Sequence, residues 1–247
     1  MTLSTDPTLQ RNFAPHGVLR ASINLGNPIL ANRDKTTGEP VGVSIDLARA
    51  LGKRLGLEVE LVVFEKAAQS VDAVRSGKAD IGFFAVDPAR SEGLSFTAPY
   101  VLIEGCYLVK QDAALQDNAQ VDRDGVRVAV GSGSAYDLFL TRELQHAAIE
   151  RYVHVPDCLV ALQEGRVDVA AGIRTMLEGW AAQHGGLRLL PGRFMVIQQA
   201  MGMPADRGPG AASALAAFVE EMKASGFVAE SLKRHGIVGG TVAPAAG

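Results

Sequence analysis

The sequence predicts an α/β fold built from two similar lobes, each with a sheet flanked by helices. Apolar runs typical of strands alternate with segments whose apolar residues recur at helical spacing. The segment "VDAVRSGKADIGFF" at 71–84 has a counterpart in "CLVALQEGRVDVAAGI" at 158–173, and each leads from a short helix through a Gly-(Lys/Arg)-x-Asp turn into an apolar strand. The 27 glycines suit a chain with many tight strand-to-helix turns.

The length, composition and charge of the chain limit the classes of function that are possible. A chain of 247 residues is long enough for two lobes, and its 47% apolar and 21% charged residues are ordinary for a globular protein. The net charge of −3 provides no basic field for nucleic acid, so we expect no nucleic-acid partner. No apolar run approaches the roughly 20 residues of a membrane helix. We expect a monomer.

The first elements follow from periodicity. "VLRASINL" at 18–25 predicts a strand followed by a loop, and "NRDKTTGEPVG" at 32–42 predicts an exposed hairpin. Ser44 stands where a helix N-cap is expected, and Gly56 closes that helix. The apolar residues of the helix recur at Ile45, Ala48, Leu51 and Leu55.

The first half continues in the same pattern. "EVELVVF" at 58–64 predicts a strand. Val71 and Val74 mark one face of a short helix that ends at Gly77. "ADIGFFAV" at 79–86 then predicts a buried strand.

The second half repeats this design. A strand at 126–130 leads through the turn "GSGSA" at 131–135 into a helix that extends to Leu144. A C-terminal helix ends at Gly226 and a shorter one at Gly236. We expect the small residues of "TVAPAAG" at the end of the chain to be frayed.

Several kinds of site are excluded by motif. The histidines show no His-Glu-x-x-His or other metal spacing, so we expect no metal. "GSGSAYD" lacks the Gly-Lys-Ser/Thr of a Walker loop, and Tyr136 stands where a dinucleotide fingerprint needs its third glycine. No Gly-x-Ser-x-Gly elbow is present. We expect no cofactor.

The "GSGSA" turn has two interpretations. Between a strand and a helix, backbone N–H groups and the helix dipole favour an anion, and Ser132 and Ser134 add hydroxyl groups. The alternative is a tight turn whose serine caps the helix.

Arg90 also has two interpretations. It follows an apolar strand at the carboxyl end, where α/β sheets place ligands, and a guanidinium there suits a carboxylate. The alternative is a surface arginine paired with Asp87 or Glu92.

Four segments together resemble the bacterial solute-binding proteins of family 3. "GEPVGVSIDLARALGKRLGLEVELVVF" at 38–64 resembles the first block of that family. "AVRSGKADIGFFAVDPARSEGLSFTAPY" at 73–100 resembles the second, in which Pro-x-Arg precedes Phe-(Ser/Thr)-x-Pro-Tyr. "LQEGRVDVAAG" at 162–172 and "FVEEMKASGFVAESLKRHG" at 218–236 resemble the corresponding later segments.

The resemblance implies a type II periplasmic binding protein fold, in which two Rossmann-like α/β lobes are joined by a two-strand hinge and close around a small ligand. The hinge strands would be "IEGCYLV" at 103–109 and "VIQQAMG" at 196–202. Lobe 1 would comprise 1–104 and 201–247, and lobe 2 would comprise 105–200.

The resemblance also implies ligand contacts. Arg90 matches the arginine that binds the α-carboxylate of the ligand, and Ser134 lies in the turn that binds the same group. The positions that bind an α-ammonium depart from the family, because Ala85, Asn24 and Ile173 occupy them. The expected ligand-binding residues are Arg90, Ser132, Ser134, Asn24, Asn27, Phe84, Asp87, Glu104 and Arg174.

Two functions follow from the resemblance. One is a binding protein that captures a small carboxylate-bearing ligand, amino-acid-like or an organic acid, in the interlobe cleft for an ABC permease or a sensor. The other is a cyclohexadienyl-dehydratase-like lyase, with Glu104 or Asp87 as acid or base. Both carboxylates have an alternative as solvated or hydrogen-bonded groups.

Compartment and redox state stay open. The family implies the periplasm, whereas residues 1–17 lack a secretory signal pattern and would indicate the cytoplasm if Met1 is the native start. Cys106 and Cys158 form either a disulfide or, the alternative that we favour, two buried thiols.

Overall fold

The computed structural model of the protein describes residues 6–247 and divides the chain into two units. Unit 1 comprises residues up to 102 together with 198–247, and unit 2 comprises residues 103–197. Both boundaries fall within long strands, at which the chain passes from one unit to the other. The boundaries expected from the sequence, after 104 and 200, differ from these by two or three residues.

In its described residues, unit 1 contains a mixed sheet and five α-helices. The sheet order is β4-β1-β5-β11-β6, with β12 paired to β6; β1 is parallel to β4 and β5, and β11 is antiparallel to β5. The strands are β1 (Leu19–Asn24), β2 (Asn32–Arg33), β3 (Pro40–Val41), β4 (Val59–Phe64), β5 (Ile81–Ala85), part of β6 (Leu94–Lys110), part of β11 (Met195–Pro204) and β12 (Gly240–Val242). The helices are α1 (Pro7–Phe13), α2 (Val43–Leu55), α3 (Ala67–Arg75), α7 (Pro209–Ala224) and α8 (Phe227–Arg234).

Unit 2 contains a set of sheet strands with a related design. Its order is β6-β9-β7-β8, with β7 parallel to β8 and β9, and with β6 antiparallel to β9 and β10. The strands that lie wholly within it are β7 (Arg127–Gly131), β8 (Ala148–Tyr152), β9 (Val169–Ile173) and β10 (Leu187–Leu189). The helices are α4 (Ala135–Glu143), α5 (Val155–Gln163) and α6 (Arg174–His184).

The repeated Gly-(Lys/Arg)-x-Asp turn has one physical role in both units. Asp80 precedes β5 and accepts hydrogen bonds from the backbone N–H of Arg20 at 3.0 Å and from its guanidinium at 2.8 and 2.9 Å. Asp168 precedes β9 and binds the backbone and guanidinium of Arg127 at 2.8 to 3.1 Å. Each aspartate therefore joins the beginnings of two neighbouring parallel strands.

The beginning of α2 corrects one expectation. The N-cap is Gly42 and not Ser44, and the helix begins at Val43. Gly42 has a φ of 133°, and a Cβ there would lie 2.5 Å from the carbonyl oxygen of Leu30, so only glycine fits the close approach. Ser44 is instead buried in the first turn, with its Oγ 3.5 Å from the hydroxyl of Tyr100.

The C-terminal tail also differs from the expectation, because it is paired with the sheet and not frayed. Residues Gly240–Val242 form a strand paired with β6, and the N–H of Ala243 donates to the carbonyl of Tyr100 at 3.0 Å. The buried amine of Lys223 donates to the carbonyls of Pro99 and Pro244. The tail is held by backbone pairing, which its small side chains do not reveal.

The remaining elements are confirmed, including the hairpin of β2 and β3, whose turn is closed by N–H groups of Thr36 and Thr37 that donate to Asp34. Cys106 and Cys158 are free and buried. Across residues 6–247, no helix has the length and apolar character needed to cross a membrane. Over the same range, no three histidine, cysteine, aspartate or glutamate side chains gather as a metal would require.

Candidate functional site

Arg90 lies at the carboxyl end of β5, in unit 1. It is the last residue of a short 3-10 turn, Pro88–Arg90, and only 5% of it is exposed. Its Nη1 donates to the carbonyl of Ala85 at 3.3 Å. Burial lowers the pKa of Arg90 from its usual high value, while the nearby charge of Asp87 opposes that shift. The guanidinium therefore remains a cation held in a largely dehydrated position.

Asp87 fixes the turn that presents this arginine. Its side chain accepts the N–H of Ala89 at 2.9 Å, and its carbonyl accepts the N–H of Arg90 and the hydroxyl of Ser91. Pro88 suits the first position of the turn because its φ is already fixed. The structure thus assigns Asp87 a capping role.

Asn24 and Asn27 lie at the same edge of the sheet as Arg90. Asn24 is the last residue of β1 and Asn27 lies in the loop that follows; because β1 is parallel to β5, both strands end at the carboxyl edge of the sheet. The Oδ1 of Asn24 accepts the N–H of Gly26 at 2.9 Å, and the Oδ1 of Asn27 accepts the N–H of Ile29 at 3.2 Å. Both amides shape the loop and supply no negative charge to this edge.

Phe84 is the next-to-last residue of β5, but its ring packs into the core of unit 1. It is 3% exposed, packs in the core of unit 1 with Val71, Val74 and Leu94, and meets Phe96 edge-on with ring centroids 6.2 Å apart. Gly82 lies directly beside its ring, where a Cβ would come within 2.0 Å of Cζ. The strand alternation turns the ring of Phe84 toward α3 and the core, and a contact between Phe84 and a ligand stays a prediction.

In unit 2, the "GSGSA" turn is built as a helix cap. Ser134 is the N-cap of α4, and its Oγ accepts the N–H of Asp137 at 3.1 Å. The N–H of Ser132 donates to the carbonyl of Tyr152 at 2.9 Å, and that of Gly133 to the carboxylate of Asp137 at 2.8 Å. The capping interpretation of the turn is therefore present in the structure.

Asp137 is a residue that the sequence reasoning missed. It is 4% exposed, and besides Gly133 it binds Nε of Arg151 at 2.9 Å and the hydroxyl of Thr141 at 3.3 Å. Ser134 and Asp137 form a Ser-x-x-Asp capping pattern, a signal visible in the sequence. Since the protein's own carboxylate already occupies one N–H of the turn, an incoming anion meets fewer donors than expected. The first-turn N–H groups of Ala135 and Tyr136 lack intrahelical acceptors by helix geometry.

Arg174 and Glu104 form an ion-paired cluster in unit 2. Nε of Arg174 lies 2.5 Å from Oε2 of Glu104, and Nη1 of Arg193 lies 2.7 Å from Oε1. Arg174 also donates to the carbonyl of Gly192 at 2.6 Å and lies 3.6 Å from Glu178. The arginines, Arg193 first and then Arg174, lower the pKa of Glu104. The hydrogen-bonded interpretation of Glu104 is the one present here, and Arg174 is already engaged by the protein.

The sequence matches a described family over most of its length. A family model for the bacterial extracellular solute-binding proteins, family 3, matches residues 26–237. The arginine-binding periplasmic protein of Mannheimia haemolytica is 26% identical over 152 residues, which cover 61% of this chain and 61% of that protein. The chain thus spans about three fifths of that relative's length.

Solved structures are similar over a longer span. The amino acid ABC transporter substrate-binding protein AbpA of Streptococcus pneumoniae, bound to L-arginine, has a TM-score of 0.74 and 21% identity, covering 90% of this chain and 96% of that one. The ancestral amino-acid-binding protein AncCDT-1, a precursor of cyclohexadienyl dehydratase, has a TM-score of 0.73 and 23% identity, covering 92% and 98%. These likenesses confirm the expected type II periplasmic binding protein fold.

Proposed function

The chain belongs to the bacterial extracellular solute-binding proteins of family 3, and on that premise we propose that it binds a small carboxylate-bearing solute and delivers it to an ABC-type transporter or a sensor. The observation that carries the proposal is the buried guanidinium of Arg90 at the carboxyl edge of the unit 1 sheet. A planar guanidinium in a dehydrated position can bind both oxygens of a carboxylate, and such charge-assisted bonds are the strong ones.

Ser134 is the contact that we propose in unit 2. Its Oγ accepts a hydrogen bond from the backbone N–H of Asp137, and its hydroxyl group, which also contacts the phenol of Tyr136, can donate its proton to an anion instead. The positive end of α4 adds to that preference. Ser132 is exposed and stays a secondary candidate in the same turn.

The chemical class of the ligand follows from the residues at the positions where the family binds an α-ammonium group. Ile173 and Ala85 are buried apolar residues, and Asn24 offers a neutral amide. Asp87 caps its own turn, while both oxygens of Glu104 are taken by arginines. A buried ammonium without a carboxylate partner is costly. We therefore assign the ligand to the mono- and dicarboxylates and the N-blocked or keto acids rather than to the free α-amino acids.

The test is a thermal-shift panel that pairs each amino acid with its 2-keto and 2-hydroxy analogues. A ligand raises the melting temperature by mass action, so the tighter class produces the larger shift. We expect the acids without an ammonium group to stabilise the protein. Stabilisation by a free amino acid, with no effect of its deaminated analogue, would contradict the ligand class while leaving the binding function intact.

The lyase alternative is not favoured by the site. A general acid must hold a proton near neutral pH, whereas the flanking arginines lower the pKa of Glu104. Asp87 is committed to the turn before Arg90. We propose a binding protein without catalytic activity, to be checked by incubating the protein with prephenate and following product absorbance.

We place the protein in the periplasm, with an ABC permease or a sensor as its partner and as a monomer in solution. The name of the Mannheimia haemolytica relative, a periplasmic binding protein, supports the compartment. Fractionation of cells that express the native gene tests it, because recovery in the cytoplasmic fraction would contradict the assignment. Light scattering of the purified protein tests the monomer.

A further inference from the structure

A shallow groove runs between α2 and α8 on unit 1, apart from the edge that carries Arg90. Its volume is about 260 Å³. Its walls come from one face of each helix, at positions three, four and seven residues apart on α2 and seven apart on α8. The lining residues are Asp46, Arg49, Ala50, Lys53, Phe227 and Arg234.

The charge of this groove is opposite in sign to that of the chain. Arg49, Lys53 and Arg234 are exposed cations, and the chain as a whole carries −3. Asp46 is the single acid of the lining, and its Oδ2 already accepts hydrogen bonds from Ser231 at 2.6 Å and His235 at 2.9 Å, with Arg234 at 3.2 Å. The groove therefore presents a net positive surface.

Arg49 and Lys53 are the two exposed cations that α2 contributes to the groove. They stand four residues apart on α2, where like charges disfavour a helix. Within residues 6–247, neither side chain takes part in an ion pair or a hydrogen bond, although the neighbouring Arg54 is paired with Glu221. Two cations beside an apolar floor of Ala50 and Phe227 complement an anionic group that is attached to an apolar one.

The shape of the groove favours a chain segment over an enclosed solute. Asp46 and Lys53 are seven positions apart on α2, which corresponds to about 10 Å along the helix axis, the length of about three extended residues. A volume of about 260 Å³ is also below the common range of small-molecule pockets. We propose that the groove between α2 and α8 is a docking site for an acidic, partly apolar segment of a partner protein.

The probe for this site is the peptide acetyl-Gly-Asp-Leu-Glu-Asp-Gly-amide, titrated into the isotope-labelled full chain and followed by amide chemical shifts. We expect saturable shifts confined to α2 and α8, weakened by added salt because exposed charges are screened. A peptide with Asn and Gln in place of the acids should produce no saturable shift. Absence of saturable shifts with the acidic peptide would overturn the proposal.

Paired charge reversals separate the groove from the general charge of the protein. Arg49→Glu combined with Lys53→Glu should weaken the peptide at least about fivefold, since two exposed pairs become two repulsions. Lys35→Glu combined with Lys78→Glu changes the net charge equally at exposed positions of the same unit and should change the affinity by less than about twofold. Equal losses in both variants would show nonspecific attraction and overturn the proposal.

Two other occupants are outcomes of the same experiment. Citrate that shifts the same amides and binds as tightly as the peptide would assign the groove to small anions and overturn docking. Phosphatidylglycerol vesicles that bind through Arg49 and Lys53, with no peptide binding, would assign it to a membrane surface and overturn docking equally. None of these outcomes depends on whether Arg90 binds a carboxylate.

Discussion

The carboxylate of Glu104 lies 2.5 Å from Nε of Arg174, joining strand β6 to the beginning of α6. Arg174, next to Ile173, is one of the ligand-binding residues expected from the family resemblance, and its guanidinium could bind an anionic group. The structure shows that the protein provides that anion itself. Arg193 completes the cluster from the loop before β11.

Substitution of Glu104 tests this cluster. Glu104→Gln should lower the free energy of unfolding by about 1 kcal/mol or less, because the side chain is 37% exposed and solvent weakens the pair. Glu178→Gln, at a partner 3.6 Å from Arg174, should cost less. Urea unfolding measures both, and equal losses would contradict the central place of Glu104.

The same carboxylate predicts a pH dependence. The arginines lower the folded-state pKa of Glu104, so its contribution is present above the ordinary glutamate pKa and is lost as the pH falls through the lowered value. The stability difference between the wild-type protein and Glu104→Gln should therefore shrink as the pH is lowered from 7 into the acid range. A difference that stays constant would mean that the pair does not favour the ionised form.

Arg90 is expected to dominate ligand affinity. Arg90→Ala should weaken binding of the carboxylate ligand by about 2–5 kcal/mol, the usual cost of removing one partner of a buried charge pair. Arg90→Lys should restore it only in part, because an ammonium lacks the planar fork. Calorimetry measures the affinities, with the exposed Arg123→Ala as the control. Unchanged affinity in Arg90→Ala would remove the residue from the site.

Substitution of the aspartates in the two Gly-(Lys/Arg)-x-Asp turns should lower the free energy of unfolding by different amounts. Asp80 is fully buried between Arg20 and Arg207, so Asp80→Asn should destabilise the protein by about 3–5 kcal/mol. Asp168 has the same contacts to Arg127, but its side chain is 39% exposed, so Asp168→Asn should cost about 1 kcal/mol. Denaturant unfolding of the two full-length variants, each compared with the wild-type protein, measures the difference. A larger loss at Asp168 would contradict burial as the cause.

The two thiols should be inert in the folded protein. Burial raises the pKa of Cys106 to about 11 and that of Cys158 to about 12, so both stay protonated at pH 8. Ellman's reagent should therefore react with neither thiol until denaturant is added, and with both afterwards. Their contribution to stability is present below the ordinary thiol pKa and should be lost as the pH rises through the folded values. Rapid reaction of the native protein would contradict the burial.

The sequence by itself determined the periodic elements, the repeated turns and the position of Arg90 shortly after an apolar strand. Spacing along the chain is sufficient for these, because a helical or alternating pattern reports which face is buried and a Gly-Lys-x-Asp turn reports its own geometry. The same local information revealed Gly56 at the end of α2, where a φ of 66° suits glycine.

Only the tertiary structure decided which polar groups are already bound by other groups of the protein. Asp137 accepts the N–H of Gly133, Glu104 binds Arg174, and the buried amine of Lys223 binds the C-terminal tail. These partners are distant in the chain or face one another only after folding. Phe84 belongs to the core because the strand turns it inward, although it lies close in sequence to Arg90. Sequence spacing records the type of each side chain, whereas its availability to a ligand depends on the groups that fold against it.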